Sequence, residues 1–143
     1  MSEYVLDASV AAKWFLPPER EPFSEKARAL FKAQTEGQMA FLVPDLFWAE
    51  MGNVLWKASR TQRMSLSDAE WSARYLRQLD FPTLRSVDFL EGAFQIATRF
   101  ERSFYDSIYL ALAKEANRPL LTADERLANA VAAYLPVRWL GAL

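Results

Sequence analysis

Short apolar segments alternate with helix-length amphipathic segments along the whole chain, and this alternation limits the fold more than any other feature. The predicted strands cover residues 3–7, 40–43, 119–122 and 137–140, with a short extended connector at 81–84. The predicted helices cover residues 9–16, 23–36, 46–60 and 67–79, then a helix from Ser86 or Asp88 to 101, an apolar helix that follows residues 103–106 and runs through 116, and a last helix at 123–133. Because strands and helices alternate through short connections, we expect an α/β fold with a central parallel sheet of about four to five strands flanked by helices.

Length and composition narrow the class of protein further. The 143 residues suffice for one domain with a real hydrophobic core, so we predict that residues 1–143 form a single domain. No apolar stretch approaches the roughly 20 residues that cross a bilayer, and the amino terminus lacks the basic start of a signal peptide. The sequence therefore predicts a soluble, cytoplasmic protein with no membrane partner.

The chain contains neither histidine nor cysteine, which restricts its chemistry. Disulfide scaffolds, thiolate nucleophiles, Ser-His-Asp triads and zinc sites built from histidine or cysteine are all excluded. The net charge of −1 gives no overall basic surface for nucleic acid. Any catalysis must use carboxylates, lysine, tyrosine, serine or a bound metal.

Local patterns predict how several helices begin and end. Asp45 is expected to cap helix 46–60, whose nearly continuous apolar residues predict that it is largely buried. Ser67 and Glu70 have the spacing of a capping box, and Asn117 is expected to end the helix before it.

Two acidic residues follow predicted strands, where open parallel sheets place their functional groups. Asp7 ends the first strand, and Asp124 lies just beyond the strand that ends at Thr122. Each also has a structural alternative: Asp7 is placed to cap the next helix, and Asp124 falls in the first turn of a helix opened by a capping box of Thr122 and Glu125. Taken singly, each residue is more typical of a structural role, because helix caps are commoner than catalytic residues.

Glu50 and Asp106 are two further candidates on helices. Glu50 has mostly apolar neighbours at helical spacing, so its carboxylate is expected to face inward and to need a cation, hydrogen-bond donors or a metal. Asp106 opens the apolar helix that follows Ser103, either as half of a capping box or as a ligand at the sheet edge. Four such carboxylates without basic partners would repel one another, and a divalent cation with oxygen ligands, Mg²⁺ or Mn²⁺, would relieve this.

The segments 4–15, 105–113 and 120–127, together with the helical Glu50, resemble the PIN-domain family, specifically its VapC-type toxins. The resemblance covers essentially the whole chain and places four acids in the family's order. It implies a PIN-like sandwich around a parallel sheet, divalent-metal endoribonuclease activity, and metal ligation by Asp7, Glu50, Asp106 and Asp124, directly or through water. It also places Ser9 and Thr122 at hydroxyl positions beside the site, although both are equally suited to capping helices.

The resemblance further implies a homodimer and a cognate antitoxin whose tail covers the active site. Aromatic anchors for such contacts, or core residues, would be Trp14, Trp48, Trp56 and Trp71. The implied reaction is hydrolysis of an RNA phosphodiester by water that one or two bound metal ions activate, with no protein nucleophile. The candidate cations for attracting RNA are Lys13, Lys57, Arg60 and Arg63, although each alone is more typical of solvated surface charge.

Two other functions fit parts of the pattern. A phosphatase of α/β type would also use an aspartate after its first strand, but Asp7-Ala8-Ser9 has no second acid two residues on, and no glycine-rich phosphate loop is present. The stronger alternative is a catalytically inactive PIN-like binding or scaffold module. Loss of one acid would indicate that alternative, and all four acids are present.

Overall fold

The computed structural model describes all residues, 1–143, and is built around a five-stranded parallel sheet. The strands are β1 (Ser2–Leu6), β2 (Met39–Pro44), β3 (Thr83–Leu84), β4 (Leu120–Thr122) and β5 (Val137–Trp139). Their order across the sheet is β3-β2-β1-β4-β5, and every neighbouring pair is parallel. The predicted extended connector is therefore an edge strand, β3.

Seven α-helices flank the sheet. They are α1 (Ala8–Phe15), α2 (Ser24–Thr35), α3 (Leu46–Arg60), α4 (Leu66–Gln78), α5 (Leu90–Phe100), α6 (Phe104–Ala116) and α7 (Glu125–Val131), with single 3-10 turns at Pro18–Arg20, Ser86–Phe89 and Leu140–Ala142. The predicted α/β class with a parallel sheet is confirmed. None of the helices is both long and apolar enough to span a membrane.

The centre of the sheet is buried because helices cover it. All three residues of β4 are buried, and Val5 and Leu6 at the end of β1 are fully buried. Strands covered on both faces are expected to be continuously apolar, as these are. Val5 and Leu6 pair with Leu120 and Leu121, so β1 and β4 end side by side.

The strand order places a topological switch between β1 and β4. From β1 the chain builds outward through β2 to β3 on one side, and then crosses to β4 and β5 on the other side. In open parallel sheets, ligands bind beyond the carboxyl ends of the strands at such a switch. The residues that follow β1 and β4 are therefore the residues to inspect for a functional site.

Three predicted details of the helices are wrong. In α3 only a stripe is buried, at Phe47, Met51, Leu55 and Ala58, because one face packs on the core and the other faces solvent. Asp45 makes no capping bond and instead accepts a hydrogen bond from Ser86. The cap of α4 is Ser65, whose Oγ accepts from the Asp68 amide at 3.0 Å, and the proposed box of Ser67 and Glu70 lies inside that helix.

Candidate active site

Asp7 lies directly after β1 and is held by two hydroxyl groups. The side chains of Ser9 and Thr122 donate hydrogen bonds to the same carboxylate oxygen, Oδ2, at 2.8 and 2.7 Å. Asp7 makes no side-chain cap on α1, although it occupies the capping position, and only 8% of the residue is exposed. The expected capping role of this side chain is therefore wrong. Since both hydroxyls use Oδ2, neither occupies Oδ1.

Backbone amides extend this hydrogen-bond network across β4. The Ala123 amide donates to Ser9 Oγ at 3.0 Å, and the Asp124 amide donates to Thr122 Oγ1 at 3.1 Å. Each hydroxyl therefore accepts from the backbone while it donates to Asp7, which fixes the direction of both donor bonds. The ends of β1 and β4 are joined by side chains as well as by the sheet.

Asp124 is the cap of α7. Its Oδ1 accepts from the Leu127 amide at 3.1 Å, and the residue is exposed. The predicted capping box of Thr122 and Glu125 is wrong, because Asp124 itself fills the capping position. This cap uses one carboxylate oxygen, so capping and a place at the edge of the site are compatible.

Glu50 projects from α3 and is half-buried. Its Oε1 accepts a hydrogen bond of 2.6 Å from the Tyr109 hydroxyl on α6, and only 1% of Tyr109 is exposed. Sequence analysis did not single out Tyr109. The available signal was a tyrosine in an otherwise apolar buried helix, since a buried tyrosine hydroxyl normally has a polar partner.

Asp106 is half-buried in the first turn of α6. Its backbone amide donates to Ser103 Oγ at 3.0 Å, which is the amide half of the predicted capping box. The backbone therefore satisfies the helix end, and the Asp106 carboxylate makes no ion pair.

The four carboxylates act electrostatically on one another. Burial raises the pKa of Asp7, Glu50 and Asp106, and it is the largest cause in each case. Like charges add to the rise: the charge of Asp106 raises the pKa of Asp7 and of Glu50, and Asp124 raises the pKa of Asp106. Arg102 opposes this by lowering the pKa of Asp106. Asp7, Glu50 and Asp106 are therefore coupled electrostatically, and Asp124 is coupled to them through Asp106. We call these four residues the acid cluster.

The pKa of the Tyr109 hydroxyl is also shifted. Burial raises the pKa of its hydroxyl far above the usual range, and the charges of Asp7 and Glu50 and the bond to Glu50 add to this. Tyr109 therefore stays protonated and acts as a fixed donor to Glu50.

The donor set of this cluster fits a hard divalent cation. None of the four acids forms a salt bridge, and the nearby charge of Arg102 acts only on Asp106. No three acidic side chains lie close enough together to coordinate one ion directly. Mg²⁺ usually keeps several waters and uses one or two carboxylates, so an oxygen-only cluster of this kind suits an ion held partly through water.

The candidate RNA-binding cations differ in burial and in ion pairing. Lys13 is buried, at 7% exposed, and pairs with Glu21 at 3.1 Å, while Arg63 pairs with the other oxygen of Glu21 at 3.1 Å. Interpreting Lys13 as solvated surface charge is therefore wrong. Lys57 and Arg60 are exposed on α3.

The four tryptophans named as candidate contact residues divide into two groups by exposure. Trp14 and Trp48 are partly buried against the core. Trp56 and Trp71 are 53% and 58% exposed, with Arg60 over the Trp56 ring at 4.9 Å and Tyr75 stacked on Trp71 at 5.3 Å. Only the second pair has the exposure that a contact with another molecule requires.

Comparison with known proteins adds sequence and fold relatives. A family model described as PIN domain matches residues 4–132. The chain is 32% identical over 128 residues to ribonuclease VapC3 of Pyrobaculum aerophilum, covering 87% of this chain and 92% of that protein. The crystal structure of PAE2754 from Pyrobaculum aerophilum superposes with a TM-score of 0.65 at 25% identity, over 90% of this chain and 86% of that chain. A toxin–antitoxin complex from Klebsiella pneumoniae has the same fold, with a TM-score of 0.60, 17% identity and 96% and 97% coverage.

Proposed function

Because this chain belongs to the PIN-domain family, we propose that it is an endoribonuclease, the toxin of a type II toxin–antitoxin pair. Its active site is the cluster of Asp7, Glu50, Asp106 and Asp124 at the switch between β1 and β4. The observation that supports this proposal is a buried Asp7 that accepts from two hydroxyls and forms no salt bridge, although burial and the charge of Asp106 raise its pKa. A PIN-like module without catalysis would not need to retain so costly an arrangement.

Asp7, Glu50 and Asp106 would hold one or two Mg²⁺ or Mn²⁺ ions, directly or through water, and Asp124 would complete the cluster. A bound ion of this type lowers the pKa of water and stabilises negative charge on phosphate oxygens. Ser9 and Thr122 fix Asp7 through Oδ2 and leave Oδ1 without a side-chain hydrogen bond, so Oδ1 would be available to an ion. Tyr109 fixes Glu50 in the same way through Oε1.

We further propose how the chain is organised and which molecules it binds. Residues 1–143 form a single PIN domain, because one hydrophobic cluster includes residues from all seven helices and from three of the five strands, and Val137 of β5 packs against it. The protein acts in the cytoplasm as a homodimer and is inhibited by a cognate antitoxin. The proposal of an antitoxin partner is supported by the toxin–antitoxin complex from Klebsiella pneumoniae, one chain of which has this fold. Trp56 and Trp71 are the tryptophans exposed enough to contact a partner.

The test of the proposed function is cleavage of total RNA by the purified protein. We expect discrete cleavage products with Mg²⁺ or Mn²⁺ and none in EDTA, because the carboxylates alone neither activate water nor approach a phosphate. Divalent-ion binding is measured in parallel by calorimetry. A folded protein that cuts no RNA and binds no divalent ion would favour the inactive binding module instead.

Tyr109→Phe tests how the Glu50 carboxylate is positioned. Removing the hydroxyl leaves Glu50 free to rotate and deletes its donor, so we expect Mn²⁺ affinity to fall by about 10-fold, the lower range for loss of an outer-shell partner. The fold should be retained because only one oxygen atom is removed. Calorimetric titration with Mn²⁺ measures the change directly.

Tyr75→Phe is the matched control, since Tyr75 lies on α4 in an aromatic cluster with Phe15, Phe31 and Trp71. Its variant should bind Mn²⁺ as the wild type does. Equal Mn²⁺ affinity in the Tyr109 variant would show that the 2.6 Å contact has no role in metal binding.

A further inference from the structure

Tyr105 is an exposed aromatic residue directly beside the acid cluster. It precedes Asp106 in the first turn of α6, and 67% of it is exposed. A single exposed aromatic ring is ordinary on a protein surface, so what distinguishes Tyr105 is its position directly before a proposed active-site acid. Phe94 and Tyr134 are exposed to a similar extent, at 68% and 65%, and neither adjoins any of the four acids in sequence.

Helical geometry places Tyr105 on the same side of α6 as Tyr109, the residue that contacts Glu50. Successive residues of a helix are rotated by about 100°, so Tyr105 lies roughly 40° to one side of Tyr109 and Asp106 roughly 60° to the other, each about one turn nearer the amino terminus. Side chains on a helix lean toward its amino terminus. Tyr105 and Asp106 therefore lie on either side of Tyr109 along α6, one turn nearer its amino terminus, and the Tyr109 hydroxyl contacts Glu50.

A cation lies in the same short segment. Arg102 precedes α6, and its charge acts on the Asp106 carboxylate. Arg102 makes no salt bridge, whereas Lys13 and Arg63 are both paired with Glu21. Positive charge close to the proposed site is therefore available from Arg102, a residue that sequence analysis did not select.

We propose that Tyr105 stacks on an unpaired base of the RNA substrate while Arg102 contacts the adjoining phosphate. The proposal rests on the proposed ribonuclease function, because it takes the four acids as the position of the scissile phosphate. Single-stranded nucleic acids are commonly bound by an aromatic ring for the base and a cation for the backbone. Bases in duplex RNA are already stacked and cannot cover the ring, so the site selects unpaired RNA.

The test measures binding rather than cleavage, so it does not depend on finding the natural target. A fluorescent oligouridylate of about 12 nucleotides is titrated with the full chain in Ca²⁺, an oxygen-ligated cation that offsets the charge of the acids, and anisotropy gives Kd. Gel electrophoresis checks that the oligonucleotide stays intact. We expect Tyr105→Leu to weaken binding roughly 5- to 100-fold, which corresponds to loss of one stacked base. Tyr105→Phe keeps the aromatic face and should bind within about 3-fold of wild type.

Leucine is chosen for the test variant because it keeps an apolar side chain but lacks the π face, and Tyr105→Phe is its matched control. Arg102→Gln should reduce the slope of log Kd against log salt by about one, the contribution of one phosphate contact. Circular dichroism confirms that the three variants are folded. A self-complementary RNA duplex of the same length should bind equally to wild type and Tyr105→Leu.

Equal oligouridylate affinity of the wild type and Tyr105→Leu would overturn the proposal and assign the exposed ring to a protein contact instead. Failure of the ribonuclease function would be seen separately, as absence of metal-dependent cleavage by the wild type. Retained cleavage with unchanged binding in Tyr105→Leu would therefore remove only the base-stacking role.

Discussion

Asp106→Asn is expected to lower metal-dependent RNA cleavage by at least about 100-fold while the protein stays folded. Loss of an outer-shell partner of a metal ligand alone costs about 10- to 100-fold, and removing a carboxylate from the cluster itself should cost more. The fold should survive because the cap of α6 uses the Asp106 backbone amide and Ser103 Oγ, neither of which changes. Rates are measured on total RNA or on a mapped substrate with Mg²⁺ or Mn²⁺.

Asp68→Asn is a closely matched control for this variant. Asp68 lies in the first turn of α4, and its amide donates to Ser65 Oγ at 3.0 Å, the same local arrangement as Asp106 with Ser103. The two substitutions thus make the same chemical change at equivalent helix positions. Cleavage should persist in Asp68→Asn, and equal loss in both variants would indicate a helix-stability effect rather than a site in the acid cluster.

Asp7→Asn is expected to make the metal-free protein more stable, by about 1 kcal/mol or more, while it abolishes activity. Burial and the charge of Asp106 disfavour an ionised Asp7, and an amide has neither penalty. The asparagine oxygen can still accept from Ser9 and Thr122, and burying a neutral amide costs less than burying a charged carboxylate. For a chain of this length, thermal unfolding in EDTA should shift upward by roughly 2 to 4 °C per kcal/mol.

In the presence of Mn²⁺ we expect the wild type to be more stable than Asp7→Asn. A divalent ion that binds only the folded protein stabilises it by about 2.7 kcal/mol at 100 times Kd, and the Asp7 variant should gain little. Unfolding of both proteins is therefore compared in EDTA and in saturating Mn²⁺. If Asp7→Asn is less stable than wild type in EDTA, the carboxylate stabilises the fold through its hydroxyl partners and the site is not strained by charge.

The sheet and the strand-end residues were predictable because they depend on local patterns and a general rule. Buried parallel strands are short and apolar, and their carboxyl ends share one edge. Asp7 and Thr122 could therefore be placed near each other from the sequence alone. Their hydrogen bond of 2.7 Å spans 115 residues of chain, and only the register of β1 with β4 determines it.

Other features depend on contacts that no local pattern records. Lys13 is buried because Glu21, from the loop after α1, reaches its ammonium group. Tyr109 meets Glu50 because α6 and α3 pack at a particular relative rotation. The amphipathic pattern of a helix predicts which face is covered, but it does not say which polar atom of another helix lies opposite.

The extent of burial was misjudged in α3 for a related reason. Its apolar residues are nearly continuous in sequence, yet Trp56 is 53% exposed and carries Arg60 over its ring at 4.9 Å. Large aromatic residues are compatible with both the core and an exposed surface that contacts partners. Sequence alone gives no criterion for choosing between these environments.

The hydroxyl bridge between Thr122 and Asp7 also bears on how the protein is made. A chain emerging from the ribosome carries Asp7 early, but the partner that orients it is synthesised 115 residues later. Domains fold as units during synthesis, and this site cannot assemble before β4 joins the sheet. An unfinished chain therefore lacks an organised cluster, so the RNA being translated is exposed to cleavage only once most of the enzyme exists.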